Sequence, residues 1–195
     1  MERKNKVDEI REAALRLLEK EGPPAVSMRR VAKAARITPM AIYHYFRTRE
    51  ALLQDITAAE FEKQVAQLQA MPVPADPEQQ LRQILESHLE YAIQRPRVYD
   101  YVFSNPRPGA RRFPKDFQER KSPTFNLLMD AVAAAIEHGY FAKGDVFEIS
   151  LTIAAHTQGL ITLYRGGRFK LSDKQFKLLC FKSFSQVFHG LRQQK

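Results

Sequence analysis

The sequence predicts an all-α protein of about nine helices. Apolar residues recur at three- and four-residue spacing along most of the chain, which is the spacing of an amphipathic helix. Residues that favour helix ends, such as serine, threonine, glycine and proline, separate these periodic segments. Signals for strands are weak throughout. These three observations favour a fold built from helices alone.

The N-terminal segment contains three predicted helices. The first covers residues 4–20 and ends at the Gly-Pro-Pro sequence after Glu21, because these residues favour a helix stop. Ser27 is the expected N-cap of the second helix, since its hydroxyl oxygen can accept the hydrogen bond of an unpaired backbone N–H. Thr38 followed by Pro39 is a stronger start signal for the third helix, because it combines a cap with proline at the first helical position.

Three further helices are predicted in the middle of the chain. Thr48 is the expected cap of a long fourth helix, which the proline-rich segment 71–77 ends. The fifth helix covers residues 77–94, and Pro96 begins a short aromatic helix. Residues 104–121 contain proline, glycine and charge with little periodicity, so they are predicted to form a surface loop.

Three helices complete the predicted fold, and their ranges are 123–138, 146–165 and 173–190. Ser122 is the expected cap of the first of these helices. Asp145 with Glu148 resembles a capping box before the second, and Ser172 with Gln175 is a capping box before the third. No internal repeat or low-complexity segment interrupts this order.

The composition favours a soluble protein with a polyanionic partner. The chain has 31 Lys and Arg against 22 Asp and Glu, which gives a net charge of +9. Its single cysteine, Cys180, cannot form an internal disulfide, which is typical of a reducing cytosol. No secretory signal pattern opens the chain, and the longest apolar run, Ala131–Ile136, is far shorter than the ~20 residues of a membrane span. We therefore expect a cytoplasmic protein with no membrane partner.

Motifs for catalysis or metal binding are missing from the sequence. There is no glycine-rich phosphate loop, no cluster of histidine and cysteine, and no G-x-S-x-G element. The five histidines are scattered along the chain. We therefore predict no enzymatic activity, no catalytic residue, no metal and no cofactor.

Basic residues are concentrated between Ser27 and the start of the fourth helix. This segment has no acidic residue, and its six basic residues are Arg29, Arg30, Lys33, Arg36, Arg47 and Arg49. A basic surface on two short helices joined by a tight turn is typical of a module that docks on duplex DNA. Arg30, Lys33 and Arg47 are equally consistent with a solvated surface that contacts nothing.

Residues 7–53 resemble the N-terminal DNA-binding region of the TetR family of bacterial transcriptional regulators. The resemblance rests on the spacing of Ile10, Ala13, Ala14, Leu17, Gly22, Ser27, Val31, Ala32, Ala35, Ile37, Tyr43, Phe46, Arg49, Glu50 and Leu52. Arg36 departs from the family, which usually has glycine in the turn between the second and third helices. A left-handed backbone at this arginine would cost roughly 1–2 kcal/mol.

The resemblance implies two domains with different roles. Residues 1–53 would form a helix-turn-helix DNA-binding domain with three helices, and residues 54–195 a helical effector-binding and dimerisation domain. The residues expected to contact DNA are Ser27, Arg29, Thr38, Pro39, Met40, Ala41, Tyr43, His44 and Arg49.

The expected DNA contacts differ in chemistry. Thr38 can donate to a base or a phosphate, and His44 is the side chain of the third helix best suited to a base edge. The three residues at the start of that helix offer only apolar contacts, for example to a thymine methyl group. Tyr43 resembles the phosphate-contacting tyrosine of the family, and Arg49 lies at a helix N-terminus that suits a phosphate. Arg29 either reads guanine or contacts a phosphate.

The middle helices contain a mixture of aromatic and polar residues that can line an effector pocket. The candidate pocket residues are His88, Tyr91, Tyr99, Phe103, Phe125, Met129, His156 and Gln158. Each of them is also compatible with an ordinary core position in which the polar tip has a hydrogen-bond partner.

The last two predicted helices carry apolar residues on more than one face, which indicates a second packing partner. A two-fold, four-helix interface between two subunits would provide it and would present two reading helices to one duplex. The residues expected in this interface are Phe147, Leu151, Leu163, Phe176, Phe181, Phe184 and Phe188.

The resemblance implies a homodimeric, ligand-responsive regulator, usually a repressor, that a small-molecule effector releases from a palindromic operator on double-stranded DNA. Two alternatives stay open. One is a small-molecule-binding or catalytic helical protein with a vestigial DNA-binding head, and the other is an architectural DNA-binding protein without an effector. An activator in place of a repressor is a third question within the same class.

Overall fold

The computed structural model describes residues 2–192, with the backbone alone for residues 2–5. In this range the chain forms ten α-helices and no strand, which confirms the predicted all-α fold. The helices are α1 (Glu2–Glu21), α2 (Met28–Ala34), α3 (Pro39–Ile42), α4 (Arg49–Gln69), α5 (Pro77–Gln94), α6 (Pro96–Tyr99), α7 (Lys115–Gln118), α8 (Pro123–Glu137), α9 (Val146–Arg165) and α10 (Asp173–Leu191). A 3₁₀ turn (Pro23–Ala25) follows α1, and a π-helical turn (Asp100–Ser104) follows α6.

Side-chain caps begin several of these helices where the sequence predicts them. The hydroxyl oxygens of Ser27, Thr38 and Thr48 accept hydrogen bonds from backbone N–H groups of α2, α3 and α4, at 3.3, 3.1 and 3.0 Å. Ser172 and Gln175 form the complete capping box of α10. These bonds satisfy N–H groups that have no partner within the first helical turn.

Three local predictions need correction. Residues 104–121 are not a loop throughout, because α7 forms within them, and a four-residue helix is too short to show an apolar period. Ser122 does not cap α8 with its side chain, and Pro123 at the first helical position has no N–H that needs a partner. Asp145 accepts the N–H of Glu148 at 2.9 Å, but the described structure has no reciprocal bond, so this capping box is half formed.

The chain packs into two compact units. The first comprises the described residues up to Lys63 together with Arg95–Ala110, and the second comprises Gln64–Gln94 with the described residues from Arg111 onward. α4 therefore begins in the first unit and ends in the second. These two units are defined by packing. The boundary at residue 53 between a DNA-binding domain and an effector-binding domain is a functional one, and it stays a prediction.

In the first unit, α1 packs against α2, the 3₁₀ turn and α6, while α2 packs against α3. Arg11 of α1 is joined to Asp55 of α4 by two hydrogen bonds, Nε–Oδ2 at 2.5 Å and Nη2–Oδ1 at 2.9 Å. The unit has an apolar core whose fully buried side chains include Ile10, Leu18, Ile42 and Leu52. α3 thus packs on this scaffold through Ile42, and Phe46 just beyond the helix is also buried.

In the second unit, α5 packs against α8, α9 and α10, and α9 packs against α8 and α10. Phe176, Phe184 and Phe188 lie fully buried on one face of α10. Cys180 shares this face, and burial raises the pKa of its thiol to about 12, so it is a core residue and not a reactive thiol. α9 has a length and composition that would also suit a membrane span, but it packs against three helices of this unit.

Candidate nucleic-acid interface

The third helix is short and has one buried side. Regular helical structure ends at Ile42, and backbone hydrogen bonds of three-residue span continue the turn to Tyr45. Ile42 and Phe46 are buried in the first unit. The opposite side carries exposed residues, because a helix of this length can place only one stripe against a core.

The exposed side of α3 includes two large side chains with apolar surface. Met40 is 73% exposed and Tyr43 is 50% exposed. Thr38, Pro39 and His44 are exposed beside them, and Ala41 is half-buried. Apolar surface of this kind on a monomer is typical of a contact with a partner. Five of the six residues predicted to contact DNA between Thr38 and His44 are therefore exposed to solvent, and the sixth, Ala41, is half-buried.

Most of the basic side chains next to α3 are exposed and have no ion pair among the described residues. Arg29, Lys33, Arg36 and Arg47 are exposed, and none forms an ion pair within the part of the chain whose side chains are described. Arg30 differs, because its Nη2 pairs with Oε1 of Glu21 at 2.6 Å. Four exposed cations that no described carboxylate neutralises create a positive potential, which attracts a polyanion.

Arg49 lies at the start of α4 and is bound inside the first unit. Its Nε donates to the carbonyl oxygen of Val26 and its Nη2 to that of Pro23, both at 2.6 Å, and its Nη1 lies 3.6 Å from Oε1 of Glu50. The side chain therefore joins α4 to the segment that connects α1 and α2. A contact between Arg49 and DNA phosphate stays a prediction.

Arg36 has the left-handed backbone that its position in the turn suggests, with φ of 55°. The side chain of Ser27 is half-buried and is already used as a cap, and Arg29 is exposed in the first turn of α2. All nine residues predicted to contact DNA therefore lie in the first unit.

The predicted pocket residues divide between the two units. Tyr99 and Phe103 belong to the first, where Tyr99 is fully buried and its ring stacks on Phe103 at a centroid distance of 4.9 Å. Phe103 also packs edge-on against Phe61 at 5.3 Å. These three rings form part of the core of the first unit.

The other six pocket candidates lie in the second unit on three helices: His88 and Tyr91 on α5, Phe125 and Met129 on α8, and His156 and Gln158 on α9. Nε2 of His156 lies 2.8 Å from Oγ of Ser183, which joins α9 to α10. Phe125 packs edge-on against Phe117 and Phe147, at centroid distances of 5.2 and 5.8 Å. His156 and Phe125 thus have partners within the second unit.

Burial within the single chain corrects part of the predicted dimer interface. Phe176, Phe184 and Phe188 are at most 1% exposed, so their surface already belongs to the core of the second unit and cannot cover a second copy. Phe147 is half-buried and packs against aromatic rings of its own unit. Leu163 is 44% exposed, while Leu151 and Phe181 are half-buried.

An ion-pair group that the sequence analysis missed joins α6 to α1 and α4. Arg95 pairs with Glu60 and lies 2.6 Å from Glu19, and Arg97 donates to the carbonyl oxygen of Lys20 at the end of α1. Glu60 is almost fully buried. A carboxylate on the buried face of a helix is the sequence signal that would have indicated this pair.

Two family models match the chain. The model described as bacterial regulatory proteins, tetR family, matches residues 10–56, and the model described as a tetracyclin repressor-like C-terminal domain matches residues 81–179. No curated protein matches the sequence. The two matched ranges include α2 and α3 in the first model and most of α5 to α9 in the second.

Solved structures share the fold at low sequence identity. A protein of unknown function from Rhodococcus sp. RHA1 is 22% identical, with a TM-score of 0.81 and 96% of each chain covered. The fatty acid degradation regulator FadR from Bacillus halodurans is 20% identical, with a TM-score of 0.76 and coverage of 95% of this chain and 99% of that one. A TetR transcription regulator from Haloarcula marismortui is 18% identical, with a TM-score of 0.75 and coverage of 97% and 100%. These likenesses show the shared fold. The two family models show that the chain belongs to the TetR family of bacterial transcriptional regulators.

Proposed function

We propose that the protein is a homodimeric repressor that binds a palindromic operator and that a small-molecule effector releases it. Family membership already gives a DNA-binding transcriptional regulator, and regulators of this family are generally non-enzymatic. The observation that carries the proposal is the exposed surface of α3 beside four exposed basic side chains that have no ion pair among the described side chains.

The chemistry of this surface supports base contacts by some of its residues and phosphate contacts by others. His44 offers a hydrogen bond to a base edge, and Met40 with its apolar neighbours suits a thymine methyl group. Tyr43 and the positive N-terminal end of α4 around Arg49 suit the phosphate backbone. Arg29 projects from α2 towards solvent, where a guanidinium can contact guanine or phosphate.

The exposed apolar surface of α9 and α10 supports a dimer. Leu163 of α9 is 44% exposed and Leu178 of α10 is 56% exposed, although large aliphatic side chains are usually buried. Only 22% of the apolar stretch of α9 is buried within the single chain. A second copy would cover this surface, and Leu151 and Phe181 would complete the contact. Such a two-fold dimer would present two α3 helices to the half-sites of a palindrome.

His88 supports an effector site in the second unit. Its side chain is half-buried, and burial lowers the pKa of its imidazole to about 4. A half-buried polar group with aromatic neighbours in the same unit is the kind of residue that can orient a small ligand. At neutral pH the uncharged imidazole has one hydrogen-bond donor and one acceptor. Tyr91, Phe125 and Met129 are the proposed wall around it.

The proposed mechanism is a shift between two populations. α4 begins in the first unit and ends in the second, so a change in the second unit has a continuous helix through which to reach the DNA-binding segment. The effector acts only to the extent that it binds the two states with different affinity. A coupling of about 1–3 kcal/mol would release an operator.

Selection of bound duplexes from a random DNA library tests this function. The native protein is run in parallel with the double variant Arg29→Ala/Tyr43→Phe. We expect the native protein alone to enrich a two-fold palindrome. Failure of the folded native protein to enrich any sequence would contradict the proposal, provided that denaturing extraction and mass spectrometry find no bound small molecule.

The second candidate is a helical small-molecule-binding protein with a vestigial DNA-binding head. The half-buried, uncharged imidazole of His88 could orient a ligand without requiring DNA. Tight ligand binding by a protein that enriches no duplex, with or without the ligand, would support this candidate over a repressor.

A further inference from the structure

Helix α2 ends in a Schellman motif, which requires a left-handed residue just beyond the helix. The N–H of Ile37 donates to the carbonyl oxygen of Ala32 at 3.0 Å, and the N–H of Arg36 donates to that of Lys33 at 3.3 Å. This pair of bonds is the signature of the motif, and it places Arg36 at the position where φ is positive. Glycine is the usual residue there because it has no Cβ to clash with the backbone.

Three other helices of this chain end in the same way and provide an internal comparison. After α8 and α9 the left-handed positions are Gly139 and Gly167, with φ of 71° and 68°. The same two hydrogen bonds close each of these ends. After α7 the position is Arg120, whose φ of 55° equals that of Arg36. Glycine thus occupies the left-handed position at two of these helix ends, and a strained arginine occupies it at the other two.

Arg120 shows what a side chain can contribute at a strained position. Its Nη2 lies 2.7 and 2.9 Å from the two carboxylate oxygens of Asp130. Arg36 has the same backbone strain but no corresponding partner among the side chains that the structure describes. A non-glycine residue in a strained conformation is a reason to look for a function of its side chain.

The surroundings of Arg36 indicate the charge of the missing partner. No acidic residue occurs between Ser27 and Arg49, so no neighbour in this segment can neutralise the guanidinium. Thr38, which caps α3, is two residues away, and the reading helix begins directly after it. A long cation beside the N-terminal end of a helix that enters the major groove is within reach of the flanking sugar-phosphate backbone.

We propose that Arg36 contacts a DNA phosphate beside the groove that α3 enters, and that this contact offsets the strain of its left-handed backbone. The proposal rests on the DNA-binding function proposed above and adds a residue to its interface. A phosphate contact is independent of base sequence, so Arg36 would strengthen binding to every duplex and would not set specificity.

The test compares Arg36→Gly and Arg36→Ala with the matched control Arg120→Gly in the full-length protein. Arg120→Gly removes the same charge from the same backbone geometry, at a residue that already has a protein partner. Binding is measured by fluorescence anisotropy on poly(dI-dC) and on the duplex that selection returns, each over a range of salt concentrations. Thermal unfolding of all proteins is measured in parallel.

We expect stability and DNA affinity to change in opposite directions in Arg36→Gly. Relief of strain should raise its Tm by about 2–4 °C, whereas loss of a charge-assisted contact should weaken binding to both duplexes about tenfold. The slope of log K against log salt should become less steep by about one for each DNA-binding head engaged. Arg36→Ala should lose the same affinity without the gain in Tm, and Arg120→Gly should bind both duplexes as the native protein does.

Unchanged affinity and salt dependence in Arg36→Gly, with a native protein that binds DNA, would overturn this inference and leave the proposed function standing. Weaker binding to the selected duplex alone would also overturn it, because a phosphate contact acts on both. A native protein that binds neither duplex would overturn the proposed function, and this inference with it.

Discussion

At the residue scale, the proposed DNA surface is made of side chains that the core does not use. Ile42 and Phe46 attach the third helix to the first unit, and this leaves Met40, Tyr43 and His44 in solvent. An exposed methionine does not stabilise the fold, because apolar surface lowers the free energy of the folded state only when it is buried. A contact with the edges of bases would bury it.

Arg49 has a structural role that can be separated from its proposed phosphate contact. Arg49→Lys keeps the positive charge but cannot donate to the carbonyl oxygens of both Val26 and Pro23 with the same planar geometry. We expect this variant to lose about 1–3 kcal/mol of unfolding free energy in urea while its DNA binding keeps the native salt dependence. Arg47→Lys is the control, because Arg47 is exposed and has no ion pair among the side chains that the structure describes. Native stability of Arg49→Lys would show that the two carbonyl bonds are not structural.

His88 predicts a pH dependence of stability. Burial lowers its pKa from 6.5 to about 4, so between these values the unfolded chain binds a proton that the folded protein does not. His88 therefore contributes to the free energy of unfolding above pH 6.5. This contribution is lost as the pH falls towards 4, and the total loss is about 3 kcal/mol. Urea unfolding at pH 7 and pH 5 should show a smaller difference for His88→Gln than for the native protein. Equal differences in the two proteins would contradict the burial of His88.

At the element scale, α6 is held against two helices of the first unit by charged groups. Arg95 contacts Glu60 of α4 and Glu19 of α1, and Arg97 contacts the last turn of α1. Arginine at the end of a helix also interacts favourably with the negative end of the helix dipole. The segment after α5 is therefore fixed to the same scaffold that holds α3.

The buried member of this group should be costly to remove. Glu60→Ala leaves Arg95 without its buried partner, and we expect a loss of about 3 kcal/mol in unfolding free energy, measured by urea titration. Glu12→Ala is the control, because Glu12 pairs with Arg16 on the exposed side of α1 and exposed pairs contribute little. A similar loss of unfolding free energy in both variants would mean that the buried Glu60 pair stabilises the fold no more than an exposed pair does.

Elements were predictable from the sequence where their signals are local. The caps of α2, α3 and α4 depend on single side chains and neighbouring N–H groups, so Ser27, Thr38 and Thr48 were sufficient to locate them. The carbonyl partners of Arg49 lie more than twenty residues away in the chain, and no local pattern indicates them. For the distant partner of Arg95, the local signal is an acidic residue, Glu60, on the buried face of α4.

Partners that are distant in the chain also explain why part of the predicted dimer interface was corrected. Apolar residues on several faces of α10 indicated a partner, but spacing does not distinguish a second copy from α5 and α9 of the same chain. The chain itself supplies the partner of Phe184, and Leu178 is left exposed.

At the scale of the whole molecule, operator binding should depend on the proposed dimer. Leu163→Glu combined with Leu178→Glu would place charge on the exposed apolar surface of α9 and α10. We expect monomers by light scattering and weaker operator binding, because a monomer cannot engage two half-sites at once. Val73→Glu is the control, since Val73 is 73% exposed in the segment between α4 and α5. A double variant that stays dimeric would move the interface to another surface.

The most direct test of DNA reading by α3 is chemical interference mapping on the selected duplex. Ethylation of phosphates and modification of major-groove base edges are scored for their effect on binding by the native protein and by Met40→Ala. We expect two clusters of interference related by a two-fold axis, with centres one helical turn or a multiple of it apart, and loss of a thymine contact in Met40→Ala. Interference at phosphates alone, with no effect of any major-groove base, would contradict the reading of DNA by α3.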